Sequence, residues 1–149
     1  MKKIKTKQLQ ILTDIDLVWD FMTEIYDPHY NNGAAAPFFE YAITSSWMNK
    51  EYLHLNRFWI DGDKVVGFVF TEDPVTNIFF NLRPGYEEMA DEMIEYAEKS
   101  FPDIGGEKEP VLFPEQRALI RAAEKRGYKV AYENVDMLFD FKSSELNYE

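Results

Sequence analysis

At 149 residues, 46% hydrophobic and 16% aromatic, the chain suits one domain with a large core and is too apolar for disorder. Its formal charge of −11 opposes nucleic acid, whose binding needs Lys and Arg against phosphate, and opposes anionic membrane surfaces. With no cysteine, disulfides, thiolate metal sites and cysteine nucleophiles are excluded.

In chain order, Met1-Lys2-Lys3-Ile4-Lys5-Thr6-Lys7 is basic but lacks the apolar run of a secretory signal. No stretch is long and apolar enough to span a bilayer, so a cytoplasmic location is expected. Residues 3–9 form a first strand around Ile4. Thr13 or Asp14 caps a helix whose Leu17, Val18, Phe21, Met22 and Ile25 recur at spacings of three and four. Asp27-Pro28 ends it, because the residue before proline resists helical geometry. His29-Tyr30-Asn31-Asn32-Gly33 is a loop by its turn residues. A second helix starts near Pro37, a residue tolerated in the first turn. Phe38, Phe39, Tyr41, Ala42 and Trp47 give it an aromatic surface.

Residues 53–60 and 65–71 flank the turn Asp61-Gly62-Asp63 and make the clearest hairpin. Asp73-Pro74 marks the next turn, before a strand over 78–82. A third helix spans 86–99, with Met89, Met93, Ile94 and Ala97 inward. Val111-Leu112-Phe113 is a short buried strand. The fourth helix runs from 115 to 126, and Gly127 supplies the left-handed conformation that stops it. Strands over 129–133 and 137–141 follow. Residues 1–142 then make a single domain, with 143–149 a linker-like tail. A three-stranded meander followed by a strand–helix–strand crossover predicts an α/β fold: a mixed, mostly antiparallel twisted sheet with helices on both faces.

The junction Asn77-Ile78-Phe79-Phe80-Asn81-Leu82-Arg83-Pro84-Gly85-Tyr86-Glu87-Glu88 carries the most chemistry. A strand entering a helix offers backbone N–H groups to an anion. Here the first helical turn carries Glu87, Glu88, Asp91 and Glu92, which suit the helix dipole but oppose a bound anion. A carboxylate about 5 Å from a phosphate charge costs about 1 kcal/mol in water-like surroundings, and about 3 kcal/mol at an effective dielectric of about 20. The two histidines, His29 and His54, lack metal-ligand spacing, and no metal is expected. Neither Gly-x-Ser-x-Gly nor a phosphate-binding Gly-x-x-x-x-Gly-Lys occurs.

The element order resembles that of the GNAT superfamily of N-acetyltransferases. Ala122-Ala123-Glu124-Lys125-Arg126-Gly127-Tyr128-Lys129-Val130 is similar to the family's helix-four ending. Lys64-Val65-Val66-Gly67-Phe68-Val69-Phe70 looks like its central strand pair. The resemblance covers nearly the whole chain and implies acetyl transfer from acetyl-CoA to an amine by direct attack. It implies an acetyl and pantetheine arm along the backbone of Phe80, Asn81 and Leu82, and a pyrophosphate at Arg83, Gly85 and Tyr86. The family's loop reads Gln/Arg-x-x-Gly-x-Gly/Ala. Arg83 fills its first position, but Tyr86 and Glu88 stand where the small residues belong, and Gly85 is one residue out of place. Ala123 stands where many members carry the tyrosine that protonates the departing thiolate, while Tyr128 matches a structural aromatic. Glu72 and Asp73 close the third strand; they are either a general base facing a cleft or exposed turn residues. Arg117 and Arg121 would hold a phosphate of CoA, pair with the acidic third helix, or face a partner.

In this fold the first two helices and their loop often border the acceptor. Tyr26, His29, Tyr30 and Glu40 are the candidate contacts, since aromatic walls beside a carboxylate suit an amine. The same rings would equally pack the helices onto the sheet, or bind another protein domain. The departures in the loop and at Ala123 favour a non-catalytic half of a tandem protein, with a second GNAT domain C-terminal to it. An active N-acetyltransferase with an atypical loop, and a ligand- or partner-binding module, are the alternatives.

Overall fold

A computed structural model describes residues 3–135. Strand β1 (Ile4–Gln8) leads into helices α1 (Ile11–Glu24) and α2 (Ala36–Thr44). A 3-10 helix (Lys50–Leu55) precedes β2 (Arg57–Asp61), β3 (Lys64–Thr71) and β4 (Asn77–Leu82). A 3-10 turn (Glu87–Met89) opens α3 (Ala90–Ser100), followed by β5 (Glu109–Val111) and α4 (Arg117–Lys125). The sheet order is β1-β2-β3-β4-β5, antiparallel up to β4 and parallel between β4 and β5. The predicted mixed, mostly antiparallel sheet with helices on both faces is therefore present.

The side chains of β3 divide between two cores, alternating strictly from Phe68 to Phe70 but not across the bulge at Val66. Phe68 and Phe70 face α1 and α2, with Phe39, Phe58 and Phe79. Val66 and Val69 face α3 and α4, with Trp59, Phe80 and Met93. The Phe58–Phe68 and Phe70–Phe79 rings stack at 4.6 and 5.2 Å. Each buried ring contributes about 1.5–3 kcal/mol through area removed from water. A bulge shifts the register between Trp59 and Ile60, leaving Val66 opposite no partner. Beside it, Gly67 lets Met93 sit 3.1 Å from where a Cβ would stand, so α3 lies close on the sheet.

Several boundaries differ from the sequence expectation. Gln10, not Thr13 or Asp14, is the N-cap of α1, and its side chain makes no capping bond. Asp14 reaches back instead and accepts the Gln10 N–H at 2.8 Å, doing from one residue further along the helix what the N3 carboxylate does in a capping box. Helix α1 stops at Glu24, ahead of Asp27-Pro28. Residues 53–55, expected at the head of a strand, close a 3-10 helix whose Asn49 accepts the Glu51 N–H at 3.0 Å. Residues 129–133 form no strand: Val130 and Tyr132 are exposed, and the Tyr132 hydroxyl reaches Glu109 of β5 only through a side-chain hydrogen bond. The expected strand over 137–141 and the tail over 143–149 lie outside the described residues. Gly127 does end α4, with φ +88° and the Tyr128 N–H donating to Ala123. Among the described residues, no helix is long and apolar enough to cross a membrane.

Asp14 ties β1 to α1. Burial pushes its carboxyl up, but the Lys7 ammonium at 2.6 Å, the Gln10 N–H and the Thr13 hydroxyl outweigh burial and hold it below the ordinary aspartate value. A depressed folded-state value means stability present above the unfolded pKa of about 4 and lost as pH falls through the folded one. Asp14→Asn is expected to cost about 1–2 kcal/mol near neutrality. Urea unfolding of both forms checks this, and the gap should close as the pH falls below about 4.

Candidate functional site

The candidate site is the C-terminal end of β4. Parallel pairing with β5 covers Asn77, Ile78 and Phe79 only. Beyond Phe79 the two strands part, because β5 is only three residues long. On its other side β4 stays paired, Asn81 with Phe68 and Leu82 with Gly67. The Phe80 carbonyl and Leu82 N–H therefore face the gap. An extended ligand lying along this edge would bond those two groups, as an added strand does.

Both groups are already bonded within the chain. The Gln116 Nε2 donates to the Phe80 carbonyl at 2.8 Å, while its Oε1 accepts the Phe113 N–H at 3.0 Å. Gln116 is buried, so its amide splints the opened strands. The Leu82 N–H donates to the Asn32 carbonyl at 3.2 Å. Gly33 then presses its backbone onto β4: a Cβ there would stand 2.5 Å from the Phe80 oxygen. Asn81, buried beneath, donates from Nδ2 to the Ala34 carbonyl at 2.9 Å; its Oδ1 has no protein partner. On the α1/α2 side, Tyr30 stacks on Phe113 at 5.3 Å.

The segment that follows, from Arg83 to Glu87, is similarly engaged. The backbone N–H of Arg83 donates to the Val66 carbonyl at 2.8 Å, and its Nε to the Val65 carbonyl at 2.9 Å, so Arg83 staples the bulge. Its Nη1 reaches Glu24 at 2.8 Å, and that guanidinium holds the Glu24 carboxyl below the usual range. Gly85 has φ +90° and points its N–H at a carboxylate oxygen of Glu87, 3.0 Å away. A carboxylate of the chain thus occupies a donor that a phosphate would need. The Tyr86 hydroxyl donates to Asp61 at 2.8 Å.

Two open clefts flank this region. One, about 390 Å³, is lined by Asn31, Leu82, Glu87, Gln116, Arg117 and Arg121 among others. Arg117 pairs with Glu115 at 3.1 Å; Arg121 makes no ion pair among the described residues. The other, about 340 Å³, lies between α1 and the β2–β3 turn and includes Asp20, Glu24, Asp63 and Arg83. Lys125 and Arg126, by contrast, meet α3 at Asp91 and Glu98.

The acceptor candidates are only partly brought together. Tyr26 meets Tyr30 edge-on at 6.4 Å. Tyr30 holds φ +57°, an uncommon conformation for a residue with a Cβ. The exposed His29 donates its backbone N–H to Asp27. Glu40 is exposed on α2, and neither cleft is lined by any of the four. Glu72 has a carboxyl pushed up by burial and by Asp73. It follows Thr71, which pairs with Ile78 at the opposite end of β4 from Leu82. About four strand steps, roughly 13 Å, separate it from the candidate site, too far for proton transfer there. Among the described residues, no group of His, Cys, Asp and Glu is arranged to hold a metal.

Gln116, Asn32 and Gly33 were not singled out as site residues from the sequence. Their signals are faint: a glutamine just before a helix, and a turn-forming Asn-Asn-Gly. No protein-family model matches this chain, and no curated protein matches it.

Proposed function

We propose that this chain is a GNAT-like domain that does not catalyse, because its own residues fill the place of the cofactor. The observation that carries this is the occupied β4 edge: Phe80 carbonyl with Gln116, Leu82 N–H with Asn32. Glu87 on the Gly85 N–H, and Arg83 committed to Glu24 and to β3, support it at the phosphate end. Ala123 offers no proton to a leaving thiolate and is buried against α3. On this reading, acetyl transfer from acetyl-CoA to an amine is the work of a second GNAT domain, C-terminal to this one in a tandem protein.

An active N-acetyltransferase is the second reading. The cleft beside Arg117 and Arg121 favours it, since it lies against the C-terminal end of β4, where the cofactor's phosphates would approach. Calorimetric titration with acetyl-CoA separates the two. The expected result is no binding heat up to about 1 mM cofactor, a binding free energy no better than about −4 kcal/mol. A micromolar dissociation constant would overturn the non-catalytic reading.

A further inference from the structure

The charge of this chain is unevenly spread. From Gln8 to Asn49 the sequence contains no Lys or Arg, while it holds Asp14, Asp16, Asp20, Glu24, Asp27 and Glu40. This stretch builds α1, α2 and the loop between them. Asp14 and Glu24 are neutralised by Lys7 and Arg83. Asp16, Asp20 and Glu40 make no ion pair among the described residues and are exposed.

The same face carries exposed apolar side chains. Of nine exposed large hydrophobic residues described, five belong to it: Leu12, Trp19, Tyr26, Tyr41 and Trp47. Leu12 is 96% exposed in the first turn of α1. Trp19, 39% exposed, follows seven residues later, about two turns on and on the same side. Asp16 lies one turn from Leu12, and Asp20 borders Trp19. Tyr41 and Trp47 lean together at 5.9 Å. Aromatic faces beside unpaired carboxylates attract Lys and Arg through charge and cation–π contact.

We infer that the outer face of α1 and α2 docks a cationic, partly apolar polypeptide segment of another protein. Charge complementarity selects that occupant. A second copy would set the unpaired carboxylates Asp16, Asp20 and Glu40 against their own counterparts, and anionic lipid or nucleic acid would be repelled. A small amine would lack enclosure, because neither cleft is lined by Leu12, Trp19, Tyr41 or Trp47. The inference does not rest on the cofactor reading: among its residues only Asp20 lines a cleft that also holds Arg83.

The test titrates the full chain with a synthetic helical peptide of leucine and lysine, about five turns long, with leucine at every third or fourth position. Tryptophan fluorescence reports Trp19 and Trp47, while Trp59 is fully buried and stays silent. The expected result is a saturable blue shift with micromolar affinity. Asp16→Lys with Asp20→Lys should weaken binding by about tenfold or more, and Trp19→Ala by a similar factor. Glu124→Lys with Glu133→Lys, the same change in net charge on exposed sites elsewhere, should change it by less than about twofold. Circular dichroism establishes that each variant is folded. Absence of saturation, or equal losses from the two charge reversals, would overturn the inference. So would a dimer of the free chain in sedimentation that the peptide fails to dissociate.

Discussion

Replacing Gly33 by alanine is expected to remove about 3 kcal/mol or more of stability. Two costs add. The residue has φ +113°, where a side chain costs about 1 kcal/mol or more. The new Cβ would also stand 2.5 Å from the Phe80 carbonyl oxygen and 2.6 Å from Asn81 Nδ2. Neither neighbour can give way. The Phe80 oxygen belongs to β4, paired with β3 on its other side, and is held by Gln116, and Asn81 is buried and bonded to Ala34. The loop must therefore lift, breaking the Asn32 bond to the Leu82 N–H. Gly62→Ala is the control: its φ is +62° but nothing lies within 4 Å of the added atom. That variant should lose only about 1 kcal/mol. Urea unfolding of the two variants gives the difference. Equal losses would mean that Gly33 serves the turn alone and the loop does not press on β4.

The elements that were legible in the sequence are those with local causes. The β2–β3 hairpin turns at Gly62, whose positive φ supplies the tight connection. Helix α4 ends at Gly127 for the same kind of reason. Asp14 misled as a cap because its partner, Lys7, comes from the preceding strand and draws the carboxyl back over Gln10. The β propensity of Val130 and Tyr132 finds no partner strand among the described residues, so propensity alone does not make residues 129–133 a strand. In the site, the acidity after Gly85 was visible, but its consequence was geometric: Glu87 turns back onto the Gly85 N–H rather than only repelling a guest. Arg83 fitted a phosphate by sequence. Its partner Glu24 lies 59 residues away, a distance that no local pattern records.

Gln116→Leu is expected to cost about 2–4 kcal/mol, although leucine nearly matches the volume. Glutamine's amide satisfies two groups of opposite kind, the Phe80 carbonyl and the Phe113 N–H. Leucine satisfies neither, and each buried backbone group left unpaired costs about 1–3 kcal/mol. Gln116→Glu separates the two roles. Its carboxylate still accepts from Phe113 but meets the Phe80 oxygen with like charge, so burial should force it to take up a proton. The Gln116→Glu protein should accordingly regain stability as the pH falls, opposite to the Asp14 contribution. The truncation Gln116→Ala tests the site itself. It frees the Phe80 carbonyl while leaving Asn32 on Leu82 and Glu87 on Gly85. If three separate contacts close the cleft, acetyl-CoA titration of that variant stays silent. If micromolar binding emerges after this one truncation, Gln116 alone closes the cleft, and the domain keeps a cofactor site behind that single side chain.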